Sequence, residues 1–160
     1  MLKKGRKRIK VGDVYAIPLP NGMFAFAKMH LEDVLGYYKQ RCKTIEDFDE
    51  NGEYEFFVCT HDNAIKDGSW PFIRNIPFSS EEESYPPDQC VVDALTGELS
   101  LYHRGEIIDA PYEVCKDLEV CAVWDINHVE DRLMGNDVWH RDMKKCDFID
   151  DENQTSNTEE

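Results

Sequence analysis

The 160-residue chain is short of several things. No run of apolar residues approaches the length needed to cross a bilayer, and the basic N-terminus has no apolar stretch behind it, so neither a membrane span nor a secretory leader is expected. No Gly-x-Gly-x-x-Gly or Gly-x-x-x-x-Gly-Lys pattern occurs, which removes the usual phosphate-cradling loops. None of the six cysteines (Cys42, Cys59, Cys90, Cys115, Cys121 and Cys146) sits in a Cys-x-x-Cys pair. They read as reduced, mostly buried thiols of a cytoplasmic protein. Positive charge is also scarce, with 18 Lys and Arg against 33 Asp and Glu.

That scarcity is uneven. Six of the first ten residues are basic (Lys3, Lys4, Arg6, Lys7, Arg8 and Lys10) and none is acidic, so the rest of the chain holds −21 of the formal −15. An acidic body repels phosphate backbones and attracts basic partners, which disfavours nucleic acid as a ligand. Residues 1–9 read as a disordered basic arm and residues 147–160 as a disordered acidic tail, leaving residues 10–146 as one domain.

What is present is β-structure. In the stretch from Val11 to Met29, Tyr15 and Ile17 alternate with Val14 and Ala16, and Asn21-Gly22 offers the positive backbone angles of a hairpin turn. Pro18 and Pro20 cannot donate ladder hydrogen bonds, so this strand is expected at a sheet edge. Phe24 opens a second strand, apolar on both faces and therefore central. Val34–Gln40 and Glu53–Thr60 read as further strands, with a short helical turn between Thr44 and Asp49. Residues 65–78 read as an irregular strand pinned by Trp70, Phe72 and Ile73, and residues 79–88 as a polar loop. A second hairpin is expected around Thr96-Gly97, and His103 to Glu106 makes another turn. Pro111 suits the first turn of a helix reaching about Leu118. Residues 119–124 read as a strand carrying Trp124. Asp125 is placed to cap a helix over 126–134, with Val129 and Leu133 on its apolar face and Gly135 as its stop.

The expected fold is mainly β (α+β), a single small domain built on a strongly bent antiparallel sheet or partly open barrel, with one or two short helices near the C-terminus. Tyr15, Ile17, Asn21, Gly22, Phe24, Trp70, Trp124, Val129 and Leu133 are its structural residues.

Catalysis finds little support. Cys59 and His61 share a strand face, yet nothing supplies the third member that a nucleophilic site needs, and strand alternation often produces such pairs. His128 with Asp131, and His140 with Asp142, fall short of the three or four convergent ligands of a zinc site. No catalytic residue, metal or cofactor is assigned.

Several separated stretches are similar to one family. Val11-Gly-Asp-Val-Tyr-Ala-Ile-Pro-Leu with Asn21-Gly22, Asp67-Gly-Ser-Trp-Pro-Phe-Ile with Ile76-Pro77-Phe78, Pro86-Pro87 before Val91-Val92-Asp93, and Ala122-Val-Trp with His128-Val-Glu-Asp-Arg-Leu resemble, in this order over residues 10–140, the immunity 26 family of bacterial polymorphic toxin systems. The resemblance implies a small, mainly β, non-catalytic protein that binds a cognate toxin and protects the cell. An acidic surface best matches a basic toxin. Candidate toxin contacts are Asp62, Asp67, Glu81, Glu82, Glu83 and Trp139, chosen for charge, exposure and aromatic character. The second reading is a small nucleic-acid-associated β-barrel that uses the basic arm as an electrostatic grip.

Overall fold

A computed structural model describes residues 8–136 and Lys144. The arm residues Lys3, Lys4, Arg6 and Lys7, the candidate Trp139, the pair His140 and Asp142, Cys146 and the acidic tail lie outside these described residues. The chain forms two compact units, one holding residues 8–86 and 123–136 and the other residues 87–122 together with Lys144.

The first unit is a six-stranded sheet. In chain order its strands are β1 (Asp13–Pro18), β2 (Phe24–Met29), β3 (Val34–Tyr38), β4 (Tyr54–Thr60), β5 (Phe72–Asn75) and, after the second unit, a two-residue strand (Val123–Trp124) numbered β9 below. Spatially β5 comes first, then β1, β2, β3, β4 and that last strand. All pairs are antiparallel except the last, in which Cys59 and Thr60 pair in parallel with Val123 and Trp124.

β1 is therefore not an edge strand, which corrects the expectation drawn from its prolines. β5 pairs only with Asp13, Val14 and Tyr15, so Pro18, opposite Phe24 at the far end of β1, faces no second neighbour whose ladder it would break. The β1–β2 turn also differs in detail. Only Gly22 takes a positive φ, at 82°, while Asn21 contributes its side-chain oxygen, which accepts from Met23 N at 3.0 Å. Leu19 N donates to Met23 O and Gly22 N to Leu19 O, a longer loop with the left-handed step that glycine tolerates.

Both faces of β1 and β2 are buried. On one face Val14, Ala16, Phe26, Tyr38 and Phe48 form a cluster against which Phe24 packs. On the other, Tyr37 stacks on Phe56 and meets Trp70 edge-on, with centroids 4.6 and 6.2 Å apart. Tyr15, Ile17, Trp70, Trp124, Val129 and Leu133 all lie in the core.

Burying β1 includes burying Asp13, and its carboxylate is held accordingly. It accepts from Lys10 N at 2.9 Å, Tyr15 OH at 3.1 Å and Asn75 Nδ2 at 2.9 Å. A buried carboxylate is tolerated only with such a set of donors.

Short helices appear where the sequence suggested none. α1 (Asn63–Asp67) and α2 (Glu81–Ser84) interrupt segments expected as irregular strand and loop. α2 carries a legible signal that the loop reading passed over: Ser80 accepts from Glu83 N at 3.2 Å, and Glu83 reaches back to Ser79 Oγ at 2.8 Å, a variant of the capping box. Ile45–Asp47 is a 3₁₀ turn, inside the expected range.

The second unit is a three-stranded antiparallel sheet, β6 (Gln89–Val92), β7 (Leu99–His103) and β8 (Glu106–Asp109), followed by α3 (Tyr112–Cys115). Cys90, Leu99, Cys115 and Val120 form its core. The expected hairpin is present, and Ile107 and Ile108, between the expected turn and helix, belong to a third strand. Pro111 stands at the N-cap with extended backbone, and α3 is a single turn that stops before Leu118. The expected strand over 119–124 shrinks to β9, with an isolated parallel bridge joining Cys90 to Val120. The fold is thus a small α+β architecture of two open sheets, with no closed barrel.

Gly36 makes room for an aromatic box. A Cβ there would lie 2.7 Å from the Phe57 ring and 2.8 Å from the rings of His30 and Tyr54. His30, only 3% exposed, sits among Tyr54, Phe57 and Phe78 at centroid distances of 5.3, 5.1 and 4.7 Å, and its Nδ1 donates to Lys28 O at 3.0 Å. The Lys28 ammonium lies 3.9 Å from the centre of the Phe78 ring. Burial lowers its pKa, against the opposing pull of Glu50 and Glu83.

Gly36→Ala should cost about 1–3 kcal/mol by forcing these rings apart, read as a lower urea midpoint at unchanged m-value. Burial pushes the His30 pKa down to about 4, so the unfolded chain takes up a proton near pH 6.5 that the folded chain refuses. Stability contributed by His30 is complete above pH 6.5 and should fall by about 3 kcal/mol as the pH drops toward 4. Urea titrations across that window should show the slope in the parent protein and lose that component in His30→Phe.

Candidate functional site

The parallel pairing of β4 with β9 places two chain segments side by side at one end of the first unit's sheet. His61 N donates to Trp124 O at 3.2 Å just where both strands stop. Each strand then runs into a helix: β4 into α1, with Asp62 at its N-cap position, and β9 into α4 (Ile126–Leu133), with Asp125 at its N-cap position. Neither aspartate caps its own helix with a side-chain hydrogen bond, and both carboxylates lie at the surface.

Between these helix starts lies a cleft of about 730 Å³ lined by His61, Asp62, Asp67, Ser69, Asp125 and Glu130, among others. Four carboxylates and one imidazole face a single opening. His61 Nε2 lies 3.6 Å from Asp125 Oδ1, and Asp62 pairs with Lys66 one turn on at 2.9 Å. Asp67 accepts from Ser69 N at 2.7 Å, and its bonds to the Ser69 side chain and backbone hold its carboxyl below the usual range. A second hollow of about 420 Å³ shares His61 and Asp62 and adds Glu32, Asp33, Met29 and Cys59. Glu32 and Asp33 take left-handed φ of 65° and 59° in the tight β2–β3 connection, and one Glu32 carboxylate oxygen is buried with no partner among the described residues.

α4 is what carries the Asp125 and Glu130 side of the cleft, and it is firmly seated. Val129 and Leu133 are buried beneath it, and Arg132 lies 3.8 Å from the Phe56 ring and 5.1 Å from Trp124. Its end is held by Arg41, whose Nη2 and Nε donate to Leu133 O at 3.0 and 3.3 Å, while Nη1 reaches Tyr38 O at 2.9 Å and Nη2 meets Glu55 Oε2 at 2.9 Å. A cation bonded to the last helical carbonyl also complements the helix dipole.

The structure brings Asp62 and Asp67 together and joins to them Asp125 and Glu130. Glu81, Glu82 and Glu83 stand apart on α2 and do not line the cleft. Sequence reasoning passed over Asp125, taken for a helix cap, and gave Glu130, Glu32 and Asp33 no role. No local signal marks them, since their shared feature is a tertiary position. Cys59 and His61 line the same hollow, but His61 Nε2 lies 3.6 Å from Asp125 Oδ1. The five described cysteines form no disulfide with one another. Among the described residues no three His, Cys, Asp or Glu side chains converge as metal ligands, and no helix is long and apolar enough to cross a membrane.

A small α+β protein with an acidic, recessed surface is the class so defined. A family model described as Immunity protein 26 matches residues 10–100, more than half of the chain. The chain belongs to that family of immunity proteins. No curated protein and no solved structure matches it.

Replacing Arg41 by Met should cost about 1–3 kcal/mol, since it strands the Leu133 carbonyl and the neighbouring strand-end carbonyls. Urea denaturation should show this loss, and hydrogen exchange should show faster opening of α4 than of β1 and β2.

Proposed function

We propose that this chain is a cytoplasmic immunity protein that binds a cognate bacterial toxin and neutralises it by occupying a basic face of the toxin, with no catalytic step of its own. The observation that carries the reading is the convergence of Asp62, Asp67, Asp125 and Glu130 on one cleft in a member of an immunity family. Capture of a toxin before it acts rewards fast association. Clustered like charge on a recessed surface focuses the field and raises the encounter rate with an oppositely charged partner. Lysines or arginines entering the cleft would compete with Lys66 for Asp62 and with Ser69 for Asp67, and would meet Asp125 beside His61. Glu81, Glu82, Glu83 and Trp139 remain candidate contacts by charge and aromatic character.

Co-expression with the toxin encoded beside this chain's gene should restore growth, and the two proteins should co-purify. Continued lethality together with no complex would sink the reading. In the complex, the triple change Asp62→Asn, Asp125→Asn and Glu130→Gln should lower the association rate about tenfold at low salt and flatten its dependence on ionic strength. The same variant should unfold within about 1 kcal/mol of the parent, because Asp62 and Asp125 are exposed and Glu130 is half-buried.

A further inference from the structure

β8 is the outer strand of the three-stranded sheet, and all four of its residues are exposed. Two of them are large and apolar: Ile107 is 66% exposed and Ile108 40%. Arg104 and Gly105, with φ of 48° and 86°, make the two-residue mirror-image turn that joins β7 to β8. Such a turn makes His103 and Glu106 a hydrogen-bonded pair. Bonding then alternates along the register, so that Leu101 and Ile108 exchange bonds while Tyr102 with Ile107, and Ser100 with Asp109, do not. Ile107 and Asp109 therefore turn their N–H and C=O groups outward, and no described residue pairs with that edge.

Natural sheets blunt such edges with lysine, proline, a bulge or a covering segment. Here the strand reads Glu-Ile-Ile-Asp, β-branched in the middle and acidic at both ends, and its register with β7 is unbroken. It also lies beyond residue 100, outside the segment that the family model matches.

We infer that β8 accepts an extended segment of the toxin as a fourth strand. The main chain of that segment would bond Ile107 and Asp109, its apolar side chains would cover the two isoleucines, and its lysines or arginines would meet Glu106 and Asp109. A second copy of this chain fits less well, because self-pairing would bring the acidic ends of two identical strands together in a molecule of formal charge −15. The inference rests on the proposed function and names the surface and the form of the partner.

The test uses the full chain and the toxin domain encoded beside its gene. Amide exchange of the free protein should be fast at Ile107 and Asp109, and complex formation should slow both at least about a hundredfold while changing Ile108, already in the ladder, much less. Ile107→Pro removes one outward N–H without touching the β7 ladder, and should weaken binding at least about tenfold. Ile107→Lys, tolerated at an exposed edge position, should do the same by opposing a basic strand. If the parent complex forms with both amides still unprotected, or if both variants bind like the parent, β8 is not the docking edge although the proposed function stands. If no complex forms at all, it is the proposed function that fails. Protection that appears without toxin and rises with protein concentration, alongside a dimer in sedimentation, would assign the edge to a second copy and overturn the inference. Protection in the free monomer that disappears when residues 137–160 are removed would assign it to the chain's own C-terminal segment, with the same result.

Discussion

The candidate site depends on a parallel ladder only two residues long. Cys59 with Val123, and Thr60 with Trp124, join positions 64 residues apart, and everything at that end of the first unit is arranged by the junction. So short a ladder contributes little by itself. Its stability comes from Trp124, which is fully buried. Taking an indole of this size out of water is worth on the order of 4–6 kcal/mol, enough to offset closing a long loop. Once Trp124 is seated, Asp125 must emerge beside His61, and α4 must start where α1 starts. Arg132 over Phe56 and Arg41 on the Leu133 carbonyl then fix the helix in place.

The same molecule treats its carboxylates in two ways. Asp13 is fully buried and surrounded by donors, so it serves the fold by tying the start of β1 to Asn75 at the end of β5. Asp62, Asp67, Asp125 and Glu130 stay at the surface, where water and salt soften their mutual repulsion. Concentrating like charges costs folding stability and adds reach in solution. Under the proposed function that trade suits fast capture of a basic partner, and the cleft stands on packed elements, with Arg132 over Phe56 and Trp124 beneath α4.

Much of the first unit was legible because its signals are local. The β1–β2 hairpin follows from alternation around Asn21-Gly22, and α4 follows from Asp125, the spacing of Val129 and Leu133, and Gly135. Elsewhere local rules misled. Two prolines marked β1 as an edge, but a short β5 stops before reaching Pro18, so the rule holds for one end of the strand and not for the strand as a whole. α2 was written in Ser80 and Glu83 and was hidden by the acidic run around it. β8 was obscured because Ile107 and Ile108, without a polar partner in alternation, show no period of two.

Of the candidate contacts, Asp62 and Asp67 could be picked from charge and loop position, while Asp125 and Glu130 could not be joined to them. Residue order and spacing determined the strands, the tight turns, the last helix, the acidic balance and the family, because each rests on interactions within a few residues or on composition. The tertiary structure alone decided which acids share a cleft, that β1 lies inside its sheet, and that no described residue pairs with the outer edge of β8. Those outcomes depend on long-range pairing. A strand's neighbours are chosen by burial of residues far along the chain, and no local pattern encodes that choice.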